Sequence, residues 1–334
     1  MKKYKICKIL LVILAIFLCM AFYELLGICV AYKKQPEVSN TTKKETKNGS
    51  WNECSENTER AVIIEKNPEA LLQRVRLIKN AKKEIILSTF AFQSDESGKL
   101  ILGALHDAAD RGVHIRLLVD GMESWIDMEG NPYFYGLSSH ENVEIKLYNK
   151  ANPLKPWKMM GRMHDKYLIA DGKRYILGGR NTYNYFLGDF PGHKNYDRDV
   201  LVVCDEPEKE NSVNQLLEYF ETIWEQEDSG YFHDNKKLAN RKSVKNAVLE
   251  LQNGYQKYFE ENKERICDTD YTDETFETEK IALVSNPIHT GPKEPVVWYQ
   301  LGELMKNAKE RVKIHTPYII CNDMMYNTWK EIAR

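Results

Sequence analysis

The chain has 334 residues, enough for about two domains at ~150 residues each. Hydrophobic residues make up 43% and charged residues 29%, which excludes a mostly disordered or fibrous chain. Lys plus Arg number 47 against 49 Asp plus Glu, so no global basic field exists; nucleic acid is not an expected partner, and any basic site must be local.

Lys2, Lys3, Lys5 and Lys8 precede an apolar run over 9–32 whose single charge is Glu24. A helix of ~23 residues spans about 35 Å, enough for a hydrocarbon core of ~30 Å. A cleaved signal peptide has a shorter apolar core and a small-residue cleavage site, and no A-x-A follows here. Residues 1–32 are therefore expected to anchor the chain in a cell membrane as a single pass. Lysines flank both ends of the run, so the positive-inside rule has little asymmetry to use. A lone anchor behind a basic start places the body on the extracytoplasmic side.

Residues 33–60 are polar and read as a tether. Asn40-Thr41-Thr42 and Asn48-Gly49-Ser50 fit the glycosylation acceptor pattern, which means nothing unless the host glycosylates. The seven cysteines, Cys7, Cys19, Cys29, Cys54, Cys204, Cys267 and Cys321, form no C-x-x-C pair, which argues against a zinc ribbon or a dithiol redox site.

From residue 61 the pattern alternates. Helical spacing of Leu71, Leu72, Val75, Leu77 and Ile78 predicts a helix over 68–81, and 84–92 reads as a buried strand. A helix over 99–111 stops at Gly112, and strands follow over 113–120 and 143–148. Strands over 163–170 and 174–177 flank the turn Asp171-Gly172, and another covers 200–203. An amphipathic helix covers 211–224. The class is α/β with a mixed sheet. The stretch from Lys79 to Phe90 resembles that from Lys306 to Pro317 at an offset of 227, as if a second unit opened near residue 296. The expected organisation is a first domain over 61–235, a helical connection over 236–295 and the start of a second half over 296–334.

Residues 163–181 contain His164, Lys166, Asp171, Gly178, Gly179 and Asn181. Two residues apart on a strand, His164 and Lys166 share one face. The turn folds the next strand back, bringing Gly178–Asn181 near His164. An imidazole, an ammonium and a carboxamide then suit a phosphodiester: the imidazole attacks phosphorus, and the other two hold its free oxygens. The glycines leave room for close approach.

This run resembles the motif H-x-K-x4-D-x6-G-[GS]-x-N of the phospholipase D superfamily at every fixed position. A chance match has odds on the order of 10⁻⁵ or lower. Arg111–Asp120, Tyr148-Asn149 with Asn152-Pro153, Arg162–Lys166 and Tyr196–Val200 are similar to bacterial cardiolipin synthases. The resemblance implies an α/β/α sandwich with a mixed sheet and a phosphohistidine mechanism without metal or organic cofactor. It makes His164 the nucleophile, with Lys166, Asn181, Gly178 and Gly179 around the phosphate. Asp171 becomes the motif aspartate of the catalytic set, in a structural or orienting role. Asp197 and Asp199 are candidate acids that orient a histidine. Lys155, Lys158 and Arg162, interleaved with Trp157, Met159 and Met160, suit either lipid headgroups or a solvated loop.

Family enzymes use two motifs across one site, and no second His-x-Lys occurs here. The offset of 227 places it near 391, past Arg334. The expected partner is therefore a second motif in a longer chain or in another copy. Three readings stay open: a membrane-anchored phosphatidyltransferase acting on membrane phospholipids, a hydrolase or nuclease of the same superfamily, and an inactive truncated membrane protein.

Overall fold

The computed structural model of the chain describes residues 2–48, 59–204, 211–233, 235–316 and 318–333. Cys54 and the Gly49-Ser50 part of the second acceptor pattern lie outside the described residues. The chain divides into two compact units.

The first unit combines both ends of the sequence. Helix α1 (Lys2–Ala31) includes a segment, Lys5–Ala31, long and apolar enough to cross a membrane. Its 27 residues make ~40 Å of helix, more than a hydrocarbon core requires. The expected tether is not all extended, because α2 (Asn40–Asn48) is helical. Ser39 N–H and Thr42 Oγ1 both donate to Glu294 Oε1, at 2.8 and 2.6 Å. In the C-terminal part, α10 (Val296–Lys306) and α11 (Asp323–Ile332) pack Trp298 against Trp329, centroids 5.6 Å apart. The strand expected from the internal repeat is absent there: 307–316 has no regular structure, and Ile314 is 48% exposed. A β segment with no paired neighbour leaves its backbone groups unsatisfied, so local sequence alone does not hold it as a strand.

The second unit, residues 59–281, is built on one nine-stranded mixed sheet. Its strands are β1 (Glu59–Ile64), β2 (Glu84–Thr89), β3 (His114–Asp120), β4 (Val143–Tyr148), β5 (Tyr167–Ala170), β6 (Arg174–Gly178), β7 (Asp199–Cys204), β8 (Ser229–Tyr231) and β9 (Phe276–Glu277). The spatial order is β8-β4-β3-β2-β5-β6-β7-β1-β9. Among the described strands, parallel pairing is confined to β2 with β3 and β3 with β4. They are linked by helical crossovers: α3 (Asn67–Asn80) precedes β2, α4 (Glu96–Asp110) joins it to β3, and α5 (Gly121–Asp127) and α6 (Pro132–Ser138) lead to β4.

Alternating strand residues divide the core. Ile85, Leu87, Ile115, Leu117, Ile145, Leu168, Ile176 and Leu201 join the apolar residues of α3, α4 and α6 in one cluster. The other face meets α7 (Ser212–Trp224), where the rings of Tyr167 and Phe220 lie 6.5 Å apart. Burying Val213, Leu216, Phe220 and Ile223 fixes α7 there, at roughly 1.5–3 kcal/mol for each side chain. The compact unit continues past the boundary expected at 235, to residue 281. Helix α8 (Lys242–Glu261) buries Val244, Ala247, Leu251, Tyr255 and Phe259 on the domain, against α4 and α6, and α9 (Lys263–Cys267) follows. A helix with an apolar face lowers its free energy by covering the core rather than bridging through solvent.

Candidate active site

The site forms where four central strands end on the same edge. β2 stops at Thr89, β5 begins at Tyr167, β6 ends at Gly178 and β7 begins at Asp199, with Ser88 opposite Tyr167, Tyr167 opposite Leu177, and Gly178 opposite Asp199. The expected strand over 163–170 is shorter, because His164, Asp165 and Lys166 precede its first residue. Pairing still reaches them: Gly178 N–H donates to Lys166 O at 3.1 Å. The side-chain alternation also holds. Tyr219 of α7 donates to Asp165 Oδ2 at 2.7 Å, which turns Asp165 toward α7 and leaves His164 and Lys166 on the opposite side.

Asp120 positions the segment that carries His164. It ends β3, is 1% exposed, and accepts Met122 and Glu123 N–H at 3.1 Å each, which caps α5. Its Oδ1 also accepts from Arg162 Nε at 2.8 Å, and its Oδ2 accepts Met163 N–H at 3.0 Å. The backbone immediately before His164 is thus tied to a buried carboxylate. A sequence signal for this exists: an acid closing the apolar strand Leu117-Leu118-Val119.

The His164 ring is exposed and meets Phe90 edge-on, centroids 4.7 Å apart at 62°. Partial desolvation, then the Lys166 charge, holds its pKa below the ordinary value, although Asp165 and Asp120 oppose this. Lys166 is only 6% exposed; its Nζ donates to His164 O at 2.6 Å and lies 5.3 Å over the Phe90 ring. Burial pulls the Lys166 pKa down to about 8 against the attraction of Asp165, Asp197 and Asp120. At pH 7 the ammonium is still about nine-tenths charged. Asn181 Oδ1 accepts Ala91 N–H at 3.2 Å, which leaves the amide NH2 as the end that can donate to an anion.

The glycines have a different use from the one expected. A Cβ on Gly178 would lie 2.6 Å from Arg198 O and overlap Asp199 Oδ1, and one on Gly179 would overlap the Asp197 carboxylate. The space is filled by neighbouring side chains rather than kept open for phosphate. Asp199, expected as an acid that orients a histidine, faces two arginines, and no histidine pairs with it among the described residues. Its Oδ2 lies 2.9 Å from Arg74 and 3.2 Å from Arg180, in a fully buried ion triad. Arg180 also donates to Ile64 O, Glu65 O and Asn67 Oδ1, which fastens the 178–181 segment to β1 and α3. Asp197 stands beside Gly179 and acts electrostatically on Lys166.

Asp171 lies outside the cluster. It occupies the β5–β6 turn with φ 55°, followed by Gly172 at φ 62°, the left-handed pair that a tight I′ turn requires. Five residues of nearly extended chain separate it from Lys166, roughly 16 Å. Its carboxylate accepts N–H from Lys82, Lys83 and Glu84 at 2.8, 2.7 and 3.0 Å, locking the start of β2. These bonds hold the hairpin to the start of β2. Two of the loop's three basic residues are paired: Lys158 with Asp228 at 2.6 Å, and Arg162 with Asp120.

A buried lysine charge costs stability. With a pKa lowered from 10.5 to about 8, Lys166 binds fewer protons folded than unfolded; the cost is full below about pH 8 and vanishes above 10.5. Its ceiling is ~3 kcal/mol. Lys166→Met is expected to stabilise the domain by about 1–2 kcal/mol at pH 7 while lowering turnover ~10²–10³-fold. Thermal unfolding at pH 7 checks this, and an unchanged or lower midpoint would refute it.

The family description "Cardiolipin synthase, PLD-like domain" matches residues 74–224. An uncharacterized protein of Helicobacter pylori strain ATCC 700392 / 26695 is 28% identical over 298 residues, covering 81% of this chain and 56% of that protein. Cardiolipin synthase C of Escherichia coli K12 is 29% identical over 171 residues, covering 47% of this chain and 34% of the relative. Among solved structures, phosphatidylserine synthase of Haemophilus influenzae Rd KW20 aligns with a TM-score of 0.44 at 17% identity, covering 65% of this chain and 48% of that one. The chain spans about half the length, or less, of the curated relatives it matches.

Proposed function

We propose that the chain, as a member of the phospholipase D superfamily in its cardiolipin synthase-like branch, contributes one histidine motif to a phosphatidyltransferase acting on membrane phospholipids. The observation that carries the reading is an exposed imidazole at His164, its pKa lowered, beside the buried ammonium of Lys166. An imidazole below its ordinary pKa is neutral at pH 7 and is a nucleophile, while the lysine remains a cation for phosphate oxygen.

A ring nitrogen of His164 attacks phosphorus, and the phosphorus–oxygen bond to the leaving alcohol breaks. That oxygen takes a proton from an acid on a second motif, supplied by further chain or another copy. The phosphohistidine is then attacked by an acceptor alcohol, which gives its proton to the same group. The phosphorus–nitrogen bond breaks and His164 is restored. Lys166 and the Asn181 NH2 group stabilise negative charge on the non-bridging oxygens throughout. The apolar Lys5–Ala31 helix supports a lipid substrate, because it would hold the site near a bilayer.

The test supplies phosphatidylglycerol labelled at phosphorus to membranes containing the protein. The expected products are cardiolipin and free glycerol, with an acid-labile, base-stable phosphoryl label on His164. Phosphatidic acid in place of cardiolipin would make the protein a hydrolase, and absence of both product and label would overturn the proposal.

A further inference from the structure

The loop that leads into His164 exposes apolar side chains that the proposed chemistry does not use. Trp157 is 46% exposed and Met160 58%. In α5, Trp125 and Ile126 are 68% and 72% exposed. Neighbours of both pairs in the chain line one cavity of about 190 Å³: Met122 of α5, and Asn149, Lys155, Lys158 and Met159 of the loop, with Glu227 and Asp228 at its side. Trp125 and Ile126 stand three and four residues after Met122, on the same side of that helix. The loop leads on to the candidate site: Arg162, two residues after Met160, lies 4.9 Å over the Phe90 ring, which also meets the His164 imidazole and the Lys166 ammonium.

The geometry points to this rim as the surface through which the domain rests on an anionic phospholipid bilayer. Two exposed tryptophans, an isoleucine and a methionine offer apolar area to the acyl boundary, and indoles favour the headgroup level. The charge also fits. Lys158 is paired with Asp228, but Lys150 and Lys155 have no carboxylate within pairing distance among the described residues. Exposed lysines beside an apolar rim reach anionic headgroups while their stems lie on the hydrocarbon side. The occupant is taken to be a bilayer rather than a protein because the same chain carries a helix long and apolar enough to span one. The inference rests on the lipid reading of the site, and supplies its route of access.

The test reads contact with lipid, independent of turnover. The full chain is reconstituted in vesicles of phosphatidylglycerol and phosphatidylcholine whose acyl chains carry bromine, a short-range quencher of indole fluorescence. Wild type is compared with the W125F/W157F double variant, which keeps four of the six tryptophans as a constant background. The expected result is at least a twofold smaller loss of fluorescence in the double variant, with the difference shrinking in vesicles of phosphatidylcholine alone. Equal quenching of both proteins overturns the inference. So does a Trp125 and Trp157 component that is protected from bromine at high protein-to-lipid ratio, which would make the patch a contact between copies. Equal quenching in both lipid mixtures overturns the assignment to an anionic surface. His164→Ala is expected to keep the wild-type quenching. Quenching without cardiolipin formation by wild type would therefore count against the proposed activity alone.

Discussion

Replacing His164 with alanine lowers phosphodiester turnover by roughly 10⁴-fold or more, the scale seen when a covalent nucleophile is removed from a preorganised site. The side chain is exposed and packs only its edge on Phe90, so the loss is chemical and the unfolding midpoint stays within about 2 °C of wild type. The wild-type pH profile gives the reason a second signature. For kcat/KM the acid limb falls below 6.5, because attack needs the neutral imidazole and the His164 pKa is lowered. The alkaline limb falls near 8, where Lys166 loses the proton that holds phosphate oxygen. In the substrate complex the anion favours charged Lys166, so the alkaline limb of kcat moves upward. Turnover by the alanine variant above a few per cent of wild type, or a flat profile through pH 8, would sink this assignment.

Asp199→Ala has the largest effect on stability. It leaves the guanidinium groups of Arg74 and Arg180, 5% and 0% exposed, facing each other without a carboxylate. Breaking a buried ion group by removing one partner costs about 3–5 kcal/mol. For a domain of this size that lowers the unfolding midpoint by roughly 6–20 °C. Activity falls as well, because Arg180 ties the segment bearing Asn181 to β1. Differential scanning of the purified variant decides the point: a shift below about 2 °C would mean the triad is not stabilising. The result also separates the two readings of Asp199, since a histidine-orienting acid would change the pH profile and leave the midpoint nearly unchanged.

Much of this was legible in the residues because it is local. Periodicity located the apolar faces of α3 and α7, and the buried strand run located β2. Asp171-Gly172 announced the turn, since that pair accepts the left-handed backbone a tight hairpin needs. His164 and Lys166 sharing a side followed from the spacing of two, even though regular pairing starts one residue later. The apolar run over 9–32 was readable by length and composition, which set the helix without help from packing.

Other features depended on partners distant in sequence. Spacing counted Asp171, Asp197 and Asp199 alike as acids around a motif. Register then sent Asp171 to the far end of the hairpin, put Asp197 beside Gly179, and buried Asp199 between two arginines. The second-half strand expected near residue 312 did not form, because a strand is completed by hydrogen bonds from a neighbour and its own sequence cannot supply them. Asp120, 43 residues before Met163, became a support for the site only when β3 ended beside that loop. Sequence by itself determined most of the central strands and helices, the long apolar N-terminal helix and the chemical set of imidazole, ammonium and carboxamide. Tertiary structure decided which carboxylates meet that set, because charge, burial and hydrogen bonding act through space between residues that the chain order keeps apart.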